Sequence, residues 1–295
     1  MVLKITRKRV LAAAAGLFIL GMTVAWLGVI NIAASTGHWM ITDKFLHWSM
    51  RNAVRTRSAL TVEDPALDPT GLISAAGHYA VTCTICHGAP GEQPSTVMQA
   101  TTPAAPDLAV TASEWSDRQL LWIVKHGVKF TPMPAWPTQD RNDEVRRMAA
   151  FVRRLPDMSS AEYRELAYGS GRIGGTTLTR FEDALPDCER CHADDGREQP
   201  DIPVLAGQKS DYLLATLEAF AAGRRPSGVM GAAAARVEPA VMRALANHYA
   251  DLPGLSESRT MVAASNPTEG DLMAERIVEH GLPEANLPAC ASCHA

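Results

Sequence analysis

The chain reads as all-α: one N-terminal transmembrane helix followed by tandem small helical modules. Three observations predict this. From Val10 to Ala34 there are 25 uncharged residues, ~37 Å of helix at 1.5 Å per residue, enough to cross a ~30 Å hydrocarbon core. A Cys-X-X-Cys-His pentapeptide occurs three times, with first cysteines at 83, 188 and 290. Those positions are 105 and 102 residues apart, about one small domain per copy. Beyond the uncharged run, apolar residues recur at helical spacing and no alternating runs of strand length appear.

Taken in order, residues 1–9 form a basic tail carrying Lys4, Arg7, Lys8 and Arg9, which stays cytoplasmic by the positive-inside rule. Residues 10–34 form the anchor and everything beyond is exported. A cleaved secretory signal is the rival reading, with Ala33, Ala34 and Ser35 as small residues at the cut, but its apolar core spans only about 7–15 residues. Residues 35–70 form a juxtamembrane linker in which Trp39, Phe45 and Trp48 beside Lys44 and Arg51 suggest an interfacial collar. The alternative there is a plain helix packed on the first module.

The first module spans 71–157. Leu72, Ile73, Ala76, Tyr79 and Ala80 predict a helix that delivers the chain into Cys83, and Val145, Met148, Ala149 and Val152 form an i, i+3, i+4, i+7 stripe that stops near Pro156. The second module, 158–255, repeats the order, with a helix over Tyr212 to Phe220 and a last one through Val241, Leu245, His248, Tyr249 and Leu252 before Pro253. Residues 256–269 link to an incomplete third module, 270–295, where Leu272, Met273, Ile277 and His280 precede Cys290.

The chemistry lies in the pentapeptides, which use all six cysteines. Cysteines three positions apart fall on one side of a helical turn and can reach the two vinyl groups of one porphyrin. The next histidine then offers an imidazole to the iron. Cys83, Cys86, Cys188, Cys191, Cys290 and Cys293 are therefore the expected thioether sites of haem c, and His87, His192 and His294 the proximal ligands. A redox CxxC needs no histidine behind it, and a zinc site normally pairs two such motifs at short separation. Exported thiols left bare oxidise to disulfides, which is the remaining alternative.

A second iron ligand is sought on each module. Met133 lies in Lys129-Phe130-Thr131-Pro132-Met133-Pro134-Ala135-Trp136-Pro137, where prolines stiffen the loop. Met230 follows Arg224, Arg225, Pro226, Ser227, Gly228 and Val229, and competes with Met242, which sits inside a helix. A distal histidine is the other possibility, with His126 close to Met133 and His38, His47, His78, His248 and His280 unassigned. Methionine opposite histidine raises the reduction potential and closes the iron to small molecules, so no catalytic residue is assigned. A ligating imidazole usually donates its other N–H to a carbonyl, and Pro106 and Pro203 sit on loops where such a carbonyl is expected.

The four basic residues before Ala34 leave 24 Lys and Arg against 32 Asp and Glu beyond it, a balance of −8. That mildly acidic surface disfavours nucleic acid and favours docking on a basic patch of a redox partner.

From about Gly71 onwards the chain resembles the class I cytochromes c. The motif followed by His87-Gly88-Ala89-Pro90-Gly91, then Pro106-Asp107-Leu108 and His126 to Trp136, is similar to modules of membrane-anchored multihaem cytochromes. The run Pro203 to Arg225 and then Met230 looks like the modules of dihaem periplasmic cytochromes. The resemblance implies tandem cytochrome c domains with His87 paired to Met133 and His192 to Met230, two haems and a possible third. It departs from the pattern after His294, where neither a methionine loop nor a closing helix follows. The role implied is a periplasm-facing, inner-membrane-tethered electron carrier between a dehydrogenase or quinol-oxidising complex and a terminal acceptor. The alternatives are the cytochrome subunit of a membrane alcohol or sugar dehydrogenase, a haem peroxidase, or a disulfide-stapled binding module without haem.

Overall fold

The computed structural model describes residues 6–169, 177–192, 202–253 and 269–281. Cys290, Cys293 and His294 lie outside the described residues. Among the described residues the regular structure is helical, with two isolated bridges, Ala89 with Glu92 and Leu178 with Val237. By contact the chain divides into two compact units, Met1–Ser170 with Gly223–Ala233, and Gly171–Ala222 with Ala234–Ala295.

Helix α1, Arg7–Trp26, buries none of its residues and is long and apolar enough to cross a membrane. It starts before the uncharged run and ends well short of Ala34, because Gly28 takes a left-handed φ of 63° that terminates the helical path. Helix α2, Met40–Thr61, then occupies most of the segment read as a linker. Trp39, just before it, and Phe45 and Trp48 in its first half are exposed, while Val54 and Ser58 in the second half are buried. That second half packs on α7, Asp117–His126. Arg51 reinforces the seam, bonded to Glu114 at 2.8 Å and lying 4.6 Å over the Trp115 ring. The packed-helix reading is met in the second half of the helix.

The first unit is built on α3, Leu72–Thr82, and α8, Asn142–Arg154. The stripe Val145, Met148, Ala149 and Val152 is buried as its spacing predicts, and it packs on α3 and α7. Tyr79 is the centre of this core. Its ring lies 5.3 Å from Phe151 and 6.3 Å from Tyr163, and its hydroxyl donates to the Gly88 carbonyl at 2.8 Å. Burying such a side chain contributes about 1.5–3 kcal/mol, and the hydrogen bond about 1 more. Tyr163 belongs to α9, Ser160–Tyr168, which folds back onto α3. By contact this helix therefore sits with the first unit, although motif spacing draws the module boundary before it.

In the second unit α10, Phe181–His192, α11, Ser210–Ala221, and α13, Pro239–Asp251, enclose Leu178, Ala184, Leu213, Val241, Leu245 and Tyr249. Pro239 opens α13 at the position where a missing N–H costs nothing. Met242 is 4% exposed in this core, the packing role its helical position suggested. Helix α14, Glu269–His280, covers the stripe ahead of the third motif.

One buried group makes the first unit sensitive to acid. His78 is 8% exposed, its ring lies 4.7 Å from Trp136, and its Nδ1 has no hydrogen-bond partner among the described residues. Burial holds its pKa down to about 4. The unfolded chain therefore binds a proton that the folded one refuses, so stability present above pH ~6.5 is lost as the pH falls towards 4, by up to about 3 kcal/mol. Urea midpoints measured across that window should fall for the natural chain and fall less steeply for His78→Phe.

Candidate haem site

Each described motif is a helical turn pinned to its core. In the first unit Cys83 breaks α3 from the single turn α4, Thr84–His87. The His87 N–H donates to the Cys83 carbonyl at 2.9 Å, so both sulfurs and the imidazole emerge from one turn. Gly88 then takes a left-handed φ of 66°, and a Cβ there would lie 2.6 Å from the Glu92 carbonyl; the glycine lets the chain reverse directly behind the ligand. In the second unit Cys188, Cys191 and His192 occupy the end of α10, unbroken despite Pro186 within it.

The histidines are oriented from behind. His87 Nδ1 is 2.8 Å from the Pro106 carbonyl oxygen, and His192 Nδ1 is 2.9 Å from that of Pro203. A carbonyl only accepts, so each Nδ1 carries the proton and each Nε2 keeps its lone pair. Both carbonyls were expected from the sequence. Desolvation lowers the proton affinity of both imidazoles, opposed in each case by the carbonyl bond, which favours the neutral ring that a metal requires. Pro106 is held by its successor: Asp107 caps α6, Leu108–Thr111, by accepting from the Ala109 N–H at 2.9 Å.

The sulfurs are held as neutral thiols. The four described cysteines are free thiols, and desolvation pushes Cys83 up to about 11 and Cys188 to about 12. No three His, Cys, Asp or Glu side chains converge on a metal-binding group among the described residues. Two thiols and a lone-pair imidazole on one turn match the donor set of haem c.

The methionine loop of the first unit is shaped by its own hydrogen bonds. Gly127 ends α7 with φ +63°, and a Cβ there would lie 2.5 Å from the Pro134 carbonyl. The Val128 N–H donates to the Met133 carbonyl at 3.3 Å, the Met133 N–H to Thr131 Oγ1 at 3.2 Å, and the Trp136 N–H to the Lys125 carbonyl at 3.0 Å. Met133 is half-buried on this loop, whereas His126 is exposed with its ring against Trp122. Met230 is half-buried in α12, Gly228–Ala234, within the segment 223–233 that packs in the first unit.

A residue not singled out in the sequence ties these parts together. Glu144, 5% exposed, accepts from Trp136 Nε1 at 3.1 Å, from the Ser227 hydroxyl at 2.5 Å and from the Gly228 N–H at 2.7 Å. Arg141 lies 3.2 Å from its other flank.

Geometry and chemistry together define a c-type haem protein of tandem helical modules. A family model described as cytochrome C oxidase, cbb3-type, subunit III matches residues 72–152. Cytochrome c4 of Thiocapsa roseopersicina is 31% identical over 186 residues, covering 59% of this chain and 88% of that protein. The thiosulfate dehydrogenase electron acceptor of Stutzerimonas stutzeri is 26% identical over 220 residues, 71% of this chain and 96% of that protein. Cytochrome c-552 of Acidithiobacillus ferridurans is 26% identical over 201 residues, 65% and 84%. No solved structure is significantly similar. The chain belongs to the class I c-type cytochromes, electron-transfer proteins whose haem is covalently attached.

Two glycines test how the methionine loop is held. Gly127 and Gly223 share a left-handed φ, +63° and +68°, but Gly223 has nothing within 4 Å of a Cβ. Gly223→Ala should cost only the backbone term of about 1–2 kcal/mol. Gly127→Ala should cost clearly more, since it also displaces Pro134, and paired thermal melts would show the difference.

Proposed function

We propose that this protein is a membrane-tethered carrier that takes electrons from a dehydrogenase or quinol-oxidising complex on the periplasmic side and passes them to a terminal acceptor. The observation that carries this reading is the paired motif geometry, with His87 held by Pro106 and His192 by Pro203. A haem c bound at such a turn supplies a one-electron couple. The chain attaches it through Cys83 with Cys86 and Cys188 with Cys191, orients one imidazole at each, and offers Met133 and Met230 as thioether ligands that raise the potential. A third haem on Cys290, Cys293 and His294 belongs to the same reading.

The relatives named as electron acceptors of thiosulfate dehydrogenase support a dehydrogenase as the donor. Helix α1, which buries none of its residues and opens on Arg7, Lys8 and Arg9, supports the tether. The acidic balance of −8 beyond the anchor supports docking on a basic partner surface. Electron transfer from the donor should therefore slow as ionic strength rises.

A pyridine haemochrome assay with intact mass on the purified full chain should return two or three haems and a retained N-terminus. A colourless product at the bare polypeptide mass would discard the reading. Met133→Ala should abolish one methionine–iron charge-transfer band and lower one potential while leaving the other haem untouched. An unchanged spectrum would remove Met133 as ligand.

A further inference from the structure

Glu144 is a buried carboxylate in the first turn of α8, one residue before its apolar stripe, a costly position unless its lone pairs are used. Its partners are not scattered. Trp136 closes the loop that carries Met133, two residues beyond the flanking Pro134, and it is pinned there by its backbone bond to Lys125. Ser227 and Gly228 open the segment that carries Met230, 83 and 84 residues further along the chain than Glu144.

The link to Met230 is direct. The Ser227 hydroxyl donates to Glu144 at 2.5 Å, and the same oxygen accepts from the Met230 N–H at 3.0 Å. Gly228 meanwhile lies flat on the Trp136 indole: a Cβ there would meet Nε1 at 2.6 Å, so only glycine permits the two segments to touch. Arg141 closes the cluster, donating to the Pro226 carbonyl at 3.1 Å and pairing with Asp143 at 2.7 Å.

We propose that Glu144 is a positioning residue shared by the two methionine-bearing segments, so that one carboxylate sets the placement of both proposed thioether ligands. The assignment of Met133 and Met230 as ligands rests on the function proposed above; the mechanical link between their segments does not. Glu144 touches neither haem nor partner in this role. It acts only through Trp136, Ser227 and Gly228.

Hydrogen–deuterium exchange on the full-length holoprotein separates the two. In Glu144→Ala, amides of 127–136 and of 226–231 should both exchange about tenfold faster or more, as expected for loss of one charge-assisted hydrogen bond on the Trp136 side and two on the Ser227 and Gly228 side. The methionine–iron band should weaken, and both haem potentials should shift. Glu162→Gln, which alters an exposed ion pair with Arg154, should change none of these. Glu144→Gln keeps the shape but turns one acceptor into a donor facing donors, and serves where the alanine variant does not fold. Unchanged protection in either segment of a folded variant would overturn the proposal. Faster exchange in both segments with an unaltered band would uphold the shared clamp and place the fault with the ligand assignment.

Discussion

Tyr79 is the residue on which the first unit turns. Its ring fills the space where α3, α8 and α9 meet, against Phe151 and Tyr163, and its hydroxyl reaches the carbonyl of the residue directly after His87. One side chain thus belongs both to the apolar core and to the motif turn. The turn has only four helical residues, too few to persist alone, so its geometry is borrowed from the core. The cysteine sulfurs and the imidazole are placed as accurately as the aromatic cluster is packed.

Around that centre the parts of the site are fixed by backbone polar groups more than by side-chain pairs. Carbonyls of Pro106 and Pro203 set the histidine tautomers, and carbonyls of Lys125 and Met133 set the methionine loop. Side chains intervene where a segment distant in sequence must be held, as Glu144 does for Ser227 and Gly228. The division is economical: local geometry is settled by turns and caps, long-range geometry by one saturated carboxylate.

The same division explains what could be read from the sequence. The pentapeptides, the stripe at Val145 to Val152, the helix into Cys83 and the proline carbonyls all announce themselves over a few residues, through spacing or turn chemistry. Three features did not. Glu144 stands one residue before the apolar stripe and looks like an ordinary solvent-facing acid of an amphipathic helix, because its partners at 227 and 228 leave no local trace. Helix α9 follows a proline and a module-length interval, and only Tyr163 packing on Tyr79 attaches it to the first unit. The segment 36–69 carries aromatic and basic residues that suit either a membrane interface or a packed helix, and α2 divides them along its length.

The acceptors behind the two histidines are main-chain oxygens, reached across 19 residues in the first unit and 11 in the second. No point replacement deletes a carbonyl, so the composition of these loops is free to drift between modules, as is their length, provided the chain returns to the same spot. Side chains on these loops can therefore change without removing the acceptor, while a change in loop path that moves the oxygen out of reach breaks the bond that orients the imidazole. What the two described units share at this point is a main-chain oxygen behind each imidazole, not a side chain.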